Sequence, residues 1–531
     1  MSTTAETQDV LVVGAGPVGL VTACHLARHG ARVRVVDVLE HPNTESRAVA
    51  VHARSLEMLA ALGTLPQIEA RARRIRAIEM TDGRRGTRLA RVELDDLASR
   101  HPYALDLPQP DTEDVLRERL TELGLSVERG VELQALCQDA EGVQVTLRTP
   151  QGQQSCGVGW VVGADGAHST TRKLVGTRLA GSFHGQHFLM ADVDVDSSLS
   201  RDTMHMFAHP DGVAAMFPMA GARARVMFLV DTAPAQEPTL EQAQALADAR
   251  MTTRVVLSNP RWLTFFEVHH GQVPQYRHGR VFLAGDAAHI HSPAGAQGMN
   301  TGIQDAANLA WKLALVSTGR AGAELLDTYH AERHPIGAAV VRATTAMTNV
   351  MTGAGPVAVL RDIALFLVGH VHELGRTAAT ELAELTIDYR HSSLSVHHGH
   401  RHHASVPAGS HAPDPSGLTR SDSTAVAVEQ LLARPGLLLL ARTDDRSVVR
   451  ALQRELGDLG TAVQVVTSAS TADGDILVDS QNAIGHDYGL ADGGFVLIRP
   501  DGYIGLLVTD KNSGTLRSYL EGALHVTRTS H

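Results

Sequence analysis

Residues 9–40, DVLVVGAGPVGLVTACHLARHGARVRVVDVLE, constrain the fold more than any other stretch of the chain. An unbroken aliphatic run predicts a strand buried on both faces. It leads into Gly14, Gly16 and Gly19, which form the pattern G-x-G-x-x-G. The first glycine permits a tight turn, the second lets a phosphate approach the backbone, and the third lets the next helix pack close to the strand. The sequence therefore predicts a strand–helix–strand unit in a parallel sheet.

The second predicted strand ends at Asp37, about twenty residues after the first glycine, where a ribose-binding carboxylate is expected. The helix that follows the turn starts beside Val18, and its free N–H groups and positive dipole end would face a pyrophosphate. The glycine turn, the two strands and Asp37 have the spacing of a dinucleotide-binding unit, so the sequence predicts a dinucleotide site. The alternative is an ordinary glycine turn in a strand–helix–strand unit.

Two later stretches also place an aspartate directly after an apolar strand. They are VVGADGAHSTTRKLVG (161–176), with Asp165, and VFLAGDAAHIHSPAGAQGMNTGIQDAANLAWKL (281–313), with Asp286. A nicotinamide dehydrogenase has no obvious use for three such strand ends. An extended FAD needs separate anchors for its ribityl chain and its isoalloxazine ring, so the three together favour FAD.

Length and composition limit the remaining alternatives. A chain of 531 residues is expected to form two or three domains. The formal net charge of −11 argues against a nucleic-acid surface. Three cysteines without paired spacing suit a reducing cytoplasm. Residues 11–27 are apolar, but the preceding segment has no basic residue, so neither a signal anchor nor a membrane partner is predicted.

The motifs resemble those of class A flavoprotein monooxygenases, the para-hydroxybenzoate hydroxylase fold group. Within that group they are most similar to the polyketide and aromatic hydroxylase subgroup that includes rifampicin monooxygenase. The resemblance spans nearly the whole chain and rests on GAGPVG (14–19), SRAVAVHARSLEML (46–59), Gln109, GADG (163–166), GDAAHIHSPAGAQGMNTGIQDAANLAWKL (285–313), LLDTYHAERHP (325–335) and RPDGYI (499–504).

The resemblance implies an FAD site drawn from all three strand ends. Asp37 would hold the adenosine ribose, Asp165 would support FAD and nicotinamide binding, and Asp286 would bind the ribityl chain. The whole implied set is Gly14, Gly16, Val18, Gly19, Asp37, Arg47, Gln109, Asp165, Gly166, Asp286, Gly298, Met299 and Asn300.

The stretch 298–300 would present its backbone to the pyrimidine side of the flavin. A helix beginning near Asn300 would aim its positive end at a ring that becomes anionic on reduction. One departure from the family pattern occurs just before it, where Ala296 replaces the second glycine of G-G-Q-G. The added methyl group restricts the backbone there.

The predicted fold class is α/β. A Rossmann-like FAD-binding domain (1–185 plus 275–395) would enclose an inserted β-sheet substrate domain (186–274). A linker (396–417) would lead to a C-terminal domain (418–531), which the resemblance implies is thioredoxin-like. Because no cysteine follows Cys156, that domain cannot carry dithiol chemistry. The histidine tract in the linker has no familiar ligand spacing, and no metal site is predicted.

The substrate pocket is predicted from a methionine-rich stretch of the inserted domain, since methionine adapts to bulky apolar ligands. Ordinary core filling is the alternative. The candidate pocket residues are His205, Met206, Met216, Phe217 and Arg225. Candidate catalytic residues, chosen by residue type and position, are His289, His291 and Pro293, with a structural role as the alternative for both histidines.

By resemblance, NADPH or NADH reduces the FAD, and O2 then gives a flavin C4a-hydroperoxide that hydroxylates an aromatic or polyketide substrate. Baeyer–Villiger oxygenation of a polyketide ketone and a non-catalytic FAD-binding protein are the alternatives. The expected partner is a small aromatic or polyketide substrate. A second copy of the chain, in a homodimer, is the possible protein partner.

Overall fold

The computed structural model describes residues 8–45, 48–232, 236–291, 297–352, 372–399, 406–468, 476–509 and 514–527. Arg47, Pro293 and Ala296, three positions discussed above, lie outside these residues. No helix within the described ranges is both long and apolar enough to cross a membrane.

The first part of the chain builds most of one sheet and the helices that cover it. Its elements are β1 (Gln8–Val13), α1 (Pro17–Arg28), β2 (Val33–Asp37), β3 (Ala50–Val51), α2 (Ala53–Ala61), α3 (Leu65–Arg71), β4 (Arg73–Ile75), β5 (Ala77–Asp82), β6 (Arg88–Glu93), β7 (Ala104–Asp106), α4 (Gln109–Glu122), β8 (Val127–Arg129), β9 (Glu132–Gln138), β10 (Val143–Thr149), β11 (Gly152–Gly163) and α5 (Thr170–Leu174).

The second part forms the inserted sheet and two long helices. Its elements are β12 (Ala180–Ser197), β13 (Thr203–Ala208), β14 (Ala214–Pro218), β15 (Arg223–Val230), α6 (Leu240–Arg250), β16 (Val255–Gln272), β17 (Arg277–His278), β18 (Val281–Leu283), β19 (His289–Ile290), α7 (Gly298–Ser317), α8 (Asp327–Thr352) and α9 (His372–Leu382).

The main sheet has the strand order β17-β18-β11-β1-β2-β8. Strand β1 lies between β2 and β11 and runs parallel to both, and β18 runs parallel to β11. Val10 and Val12 of β1 pack with helices α1 and α7 on one side of this sheet. Leu11 and Val13 pack on the other side with apolar residues of β9 and β10, so β1 is buried on both faces, as its aliphatic run predicts. The Rossmann-like prediction is confirmed, and the carboxyl ends of three motif-bearing strands meet at one edge.

The inserted sheet has the order β19-β16-β12-β15-β14-β13-β5-β6. It therefore extends beyond the predicted segment 186–274, because β5 and β6 come from residues 77–93 and β12 begins at Ala180. One face packs under α6, and the other faces the main domain. Alternate residues of each strand consequently point to different sides of the sheet.

The C-terminal part forms a third sheet with the order β20-β26-β25-β22-β23-β24-β21. Its elements are β20 (Val396–His398), β21 (Thr419–Arg420), α10 (Val428–Leu432), β22 (Leu437–Arg442), α11 (Arg446–Leu456), β23 (Gly460–Val466), β24 (Ile476–Val478), α12 (Ala483–Asp487), β25 (Phe495–Ile498), β26 (Ile504–Val508) and α13 (Thr515–Gly522).

The structure differs from the predicted linker over residues 396–417. Its first residues form β20, which pairs in parallel with β26, and the Gly409 amide donates to the Ile504 carbonyl at 2.7 Å. The polar composition that predicted a linker gave no indication of this pairing. β20 therefore belongs to the C-terminal sheet, and Ala408 and Ala412 pack in the core of the C-terminal part.

Candidate active site

The three motif turns touch one another. The Ala164 amide donates to the Val13 carbonyl at 2.8 Å, and the Ala284 amide donates to the Gly163 carbonyl at 3.0 Å. A Cβ on Gly14, whose φ is +103°, would overlap the carbonyl group of Ala164. These contacts bring the first, second and third turns to the same edge of the sheet.

The first and third turns meet through Val18. A Cβ on Gly285 would lie 2.8 Å from Val18 Cγ2, and one on Gly302 would also crowd that methyl group. Glycine at both positions therefore makes room for the valine side chain. Val18 acts here as a packing contact between turns, in addition to lining the cavity described below.

Asp37 lies at the tip of β2, where a ribose-binding carboxylate is predicted. Its Oδ2 accepts a hydrogen bond from the Ala15 amide at 2.6 Å, and its Oδ1 accepts one from the Leu39 amide at 2.8 Å. The guanidinium of Arg129 lies 3.4 Å from Oδ1. The carboxylate is fixed in orientation and has further lone pairs that could accept ribose hydroxyls.

Gly16 provides an open cradle at the start of α1. An added Cβ at Gly16 would meet no protein atom within 4 Å, whereas Gly14 and Gly19 are closely surrounded. Gly16 is the N-cap of α1, so the unpaired amides of the first turn are available there. This combination fits the pyrophosphate of a dinucleotide.

A cavity of about 330 Å³ lies between the motif turns and the inserted sheet. One wall is formed by turn residues, and the opposite wall is largely apolar. The turn wall includes Gly16, Val18, Gln109, Ala164, Gly166, Asp286, Gly298 and Met299; the facing wall includes Phe217, Met227, Phe266, Glu267, Val268 and His269. A flat ring anchored on the first wall would therefore face an apolar compartment.

Several wall residues were missed by the sequence interpretation. Phe266 to His269 belong to β16, and Met227 belongs to β15. The only sequence signal was the aromatic run WLTFFEV at 262–268. Its position opposite the motif turns depends on pairing between β16 and β12, which are distant in sequence.

Helix α7 begins at Gly298, two residues before the predicted start near Asn300. The Asn300 side chain is buried and spans two elements: Oδ1 accepts from the His52 amide at 2.9 Å, and Nδ2 donates to the Ala50 carbonyl at 3.0 Å. The first turn of α7 is thereby fixed to β3 and α2. Gly298 and Met299 line the cavity, as the predicted flavin contact requires.

Asp305 is the centre of a buried network behind the third turn. It accepts hydrogen bonds from the Gly285 amide at 3.1 Å, from His289 Nε2 at 2.7 Å and from Arg333 Nε at 2.7 Å. Burial opposes ionisation of Asp305, but the charges of Arg333 and His289 keep its pKa below the usual value. The carboxylate holds a strand end, a histidine and α8 together.

The structure places His289, one of the predicted catalytic residues, outside the cavity. It is 1% exposed, bonds to Asp305 and stacks on the Tyr276 ring at 5.9 Å, so it is a structural residue outside the cavity lining. His291 lines the cavity, because alternate residues of this short extended segment face opposite directions. The prediction for Pro293 falls outside the described residues.

Asp165, predicted to support FAD and nicotinamide binding, is held by residues at the start of α5. Its Oδ2 accepts hydrogen bonds from the Thr171 amide at 2.9 Å and the Thr171 hydroxyl at 3.0 Å, and its Oδ1 accepts one from Ser169 Oγ at 2.5 Å. The carboxylate therefore stabilises the start of α5. The neighbouring residues Ala164 and Gly166, not Asp165, line the cavity.

The predicted substrate residues divide between the two faces of the inserted sheet. Phe217 lines the cavity, and Met206 packs partly buried on the same side. Met216 packs on the opposite face, and His205, one residue before Met206, bonds to the Ser200 carbonyl at 2.9 Å, with burial lowering its pKa. His205 and Met216 are thus excluded from the pocket by strand alternation.

Arg225 supports the cavity wall from behind. Its guanidinium pairs with both oxygens of Asp192 at 2.7 and 2.9 Å, and Nη1 donates to the Ala48 carbonyl at 3.1 Å. Ala48 lines the cavity, but Arg225 does not. Arg225 therefore connects the inserted sheet to the 48–52 segment and stabilises the position of that segment.

Glu384 gives a testable pH dependence. It is buried against α7 and accepts hydrogen bonds from Thr301 Oγ1 at 3.2 Å and from Gln304 Nε2, while burial raises its pKa to about 8. In an unfolded chain a glutamate has a pKa of about 4.3. The folded state then holds the proton more tightly, so its stability should fall as pH rises from about 5 to 8, by on the order of 1 kcal/mol per unit.

Glu384→Gln should remove this contribution, since Gln304 can rotate its amide to match the new side chain. We expect the melting temperature of the variant, relative to the unchanged protein, to rise steadily between about pH 5 and 8. Glu381→Gln, an exposed change on the preceding turn, is the matched control. Parallel melting curves for Glu384→Gln and the unchanged protein across this range would contradict the assignment.

Comparison with known proteins agrees with this geometry. The model of an FAD-binding-domain family matches residues 7–344. The chain is 37% identical over 540 residues to 6-methylpretetramide 4-monooxygenase of Streptomyces rimosus, with 98% of this chain and 94% of that protein covered. It is 39% identical over 362 residues to rifampicin monooxygenase of Streptomyces venezuelae, with 67% and 74% covered. The chain belongs to the class A flavoprotein monooxygenases.

Solved structures extend the similarity over nearly the whole chain of this flavoprotein monooxygenase. The anhydrotetracycline hydroxylase from Streptomyces rimosus has a TM-score of 0.79 at 32% identity, covering 98% of this chain and 99% of that chain. Aklavinone-11 hydroxylase, solved with FAD and aklavinone, has a TM-score of 0.75 at 26% identity, covering 98% and 99%. FAD, O2 and a reduced nicotinamide are accordingly the cofactor and cosubstrates of the monooxygenase.

Proposed function

We propose that this monooxygenase hydroxylates an aromatic ring of a polycyclic polyketide. The observation that carries the proposal is the two-sided cavity, with turn backbone on one wall and Phe217, Met227 and Phe266 on the other. A flat apolar substrate would lie against these side chains, opposite the flavin. The named activities of the relatives on a pretetramide, on anhydrotetracycline and on rifampicin support this substrate class.

The chain's own residues would bind FAD, orient the substrate and exclude water from the reacting ring. Bound FAD, reduced by NADPH or NADH, supplies the oxygen chemistry. We assign the ribose contact to Asp37, the pyrophosphate cradle to Gly16, and the ribityl and ring contacts to Asp286, Gly298 and Met299. The apolar wall would exclude water from the reacting ring.

His291 is our candidate acceptor for a phenolic proton. It lines the cavity, and its ring lies within 3.7 Å of the position that a Cβ on Gly298 would occupy. An imidazole at this place could take a proton from a ring held beside the helix start. His291→Asn should then lower turnover on phenolic substrates while leaving FAD bound.

Phe217 and Met216 offer a matched test of the substrate wall. Phe217→Ala should raise KM for a tetracyclic substrate by about 10- to 100-fold, because it removes roughly 1–3 kcal/mol of apolar contact. Met216→Leu, on the opposite face of the same strand, should leave KM unchanged. Equal effects of the two changes would place the substrate elsewhere.

The activity itself is tested with purified protein and three compound classes: tetracyclic polyketides, anthraquinones and single-ring phenols. The expected result is NADPH or NADH consumption stimulated most by a polycyclic compound, with a product heavier by one oxygen atom. A hydroxylated ring, identified by NMR, supports the proposal. Insertion of oxygen beside a ketone, or stimulation by single-ring phenols alone, would overturn it.

We further infer that the C-terminal sheet is thioredoxin-like. Its central order β26-β25-β22-β23, with β22 and β23 parallel and β25 antiparallel to β22, supports this assignment. Its function would be structural, since Cys24, Cys137 and Cys156 all lie in the FAD-binding part. Those three free thiols also support a cytoplasmic location.

A further inference from the structure

Three segments of the chain that carry family-like motifs meet in one buried charge cluster. Asn308 and Lys312 come from α7, Glu332 comes from α8, and Arg499 and Asp501 come from the turn between β25 and β26. All five side chains are buried. The cluster therefore joins the C-terminal domain to the two long helices of the FAD-binding domain.

Glu332 is the hub of this cluster. Its Oε1 accepts from Arg499 Nη1 at 2.7 Å, and its Oε2 accepts from Arg499 Nη2 at 2.8 Å and from Lys312 Nζ at 2.7 Å. Burial opposes ionisation, but Arg499 and Lys312 hold the pKa of Glu332 well below its usual value. Arg499 is thus held as a two-pronged fork, a geometry that lysine cannot reproduce.

Asp501 is the second anion of the cluster and pairs with Arg499. It accepts from Arg499 Nε at 3.0 Å and Nη2 at 2.5 Å, and from Asn308 Nδ2 at 3.2 Å. Two cations and two anions leave the cluster neutral. A buried cluster of this kind contributes little net stability over apolar packing, but it fixes one relative position of the joined elements.

The cluster is connected to the flavin-facing wall by two short routes. On α8, Arg333 follows Glu332 and binds both Asp305 and the Thr301 carbonyl, at 2.7 and 3.1 Å. On α2, Arg54 Nη2 donates to the Asp501 carbonyl at 2.5 Å. The C-terminal turn therefore contacts α2 and α8, two of the helices that pack against α7.

We propose that Arg499 is a positioning residue that sets, through Glu332 and α7, the reduction potential of the bound FAD. The start of α7 lines the cavity through Gly298 and Met299, and would there face the ring of bound FAD. Its dipole favours the anionic reduced flavin, and this effect falls off within one helical turn. A small displacement of the helix start should therefore change the potential measurably. The inference rests on the FAD site assigned above and is independent of the substrate class.

The test measures the midpoint potential of the purified holoprotein by equilibration with a reference dye, without any substrate. Three variants are compared: Arg499→Lys, the charge-balanced Arg499→Met/Asp501→Asn, and Arg28→Met. Arg28 is the matched control, because Arg28 also bridges to the C-terminal domain, donating to the Ala433 carbonyl at 2.6 Å, but from the far end of α1.

We expect the double variant to favour reduced flavin about tenfold less, which lowers the potential by ~30 mV for a two-electron couple. Arg499→Lys should lie between the double variant and the unchanged protein, and Arg28→Met should match the unchanged protein. The double variant keeps Lys312 paired with Glu332, so folding is retained. Unchanged potentials in both Arg499 variants, or an equal shift in Arg28→Met, would overturn the proposal.

Discussion

Gly16→Ala is expected to weaken FAD binding at least about a hundredfold, or roughly 2.7 kcal/mol, while the unfolding of the apoprotein stays unchanged. The two effects separate because the Cβ would meet no protein atom within 4 Å but would occupy the pyrophosphate cradle. The measurements are FAD titration by flavin fluorescence and thermal unfolding of the FAD-free protein.

Two further glycine variants control this prediction. Gly522→Ala adds a methyl group that likewise meets nothing within 4 Å, but at the end of the last helix, and should bind FAD normally. Gly14→Ala should destabilise the apoprotein as well as weaken FAD binding, because φ is +103° and the Cβ would lie 2.9 Å from the Asp165 Cα. If Gly16→Ala binds FAD with unchanged affinity, the pyrophosphate does not bind at Gly16.

The sequence predicts the geometry of the site best where a function depends on local backbone. The glycine spacing around Gly16 and the acid at Asp37 lie where the motifs predict them, and α7 begins within two residues of its predicted start. Each of these features is set within a few residues of chain. The contacts between turns, such as Gly14 with Ala164, add a second reason for glycine that no local pattern contains.

Prediction fails where a side chain has a choice of partners. The position of Asp165 after a strand predicts a ligand contact, but does not predict its hydrogen bonds with Ser169 and Thr171. His289 and His291 are equivalent by residue type, and only the fold shows that the first bonds to Asp305 and the second lines the cavity. Long-range pairing, not composition, decides these outcomes.

The same limit applies to the domain boundaries. Strands β5 and β6 join the inserted sheet from a region that the sequence predicts as part of the FAD-binding domain. RPDGYI resembles a family motif, but the partner of Arg499 in α8 lies 167 residues away along the chain. Contacts of this sequence separation leave no periodicity to detect, so they become visible only in the folded structure.

Asp305→Asn is expected to destabilise the protein by about 3–5 kcal/mol and to release FAD. The change leaves the buried Arg333 charge without its carboxylate, and it weakens the bonds that hold the Gly285 amide and His289. Loss of these contacts should loosen the third turn, which carries Asp286 into the cavity. Urea unfolding of the apoprotein and FAD titration measure the two consequences separately.

A second substitution decides whether the uncompensated charge is the cause. Arg333→Met in the Asp305→Asn background removes the unpaired cation, so the double variant should be more stable than Asp305→Asn alone. FAD binding should not recover with it, because the Gly285 amide still lacks its carboxylate partner. If the double variant is instead less stable than Asp305→Asn, the hydrogen bonds of Arg333 to Thr301 and Tyr389, rather than its charge balance with Asp305, dominate the stability of this network.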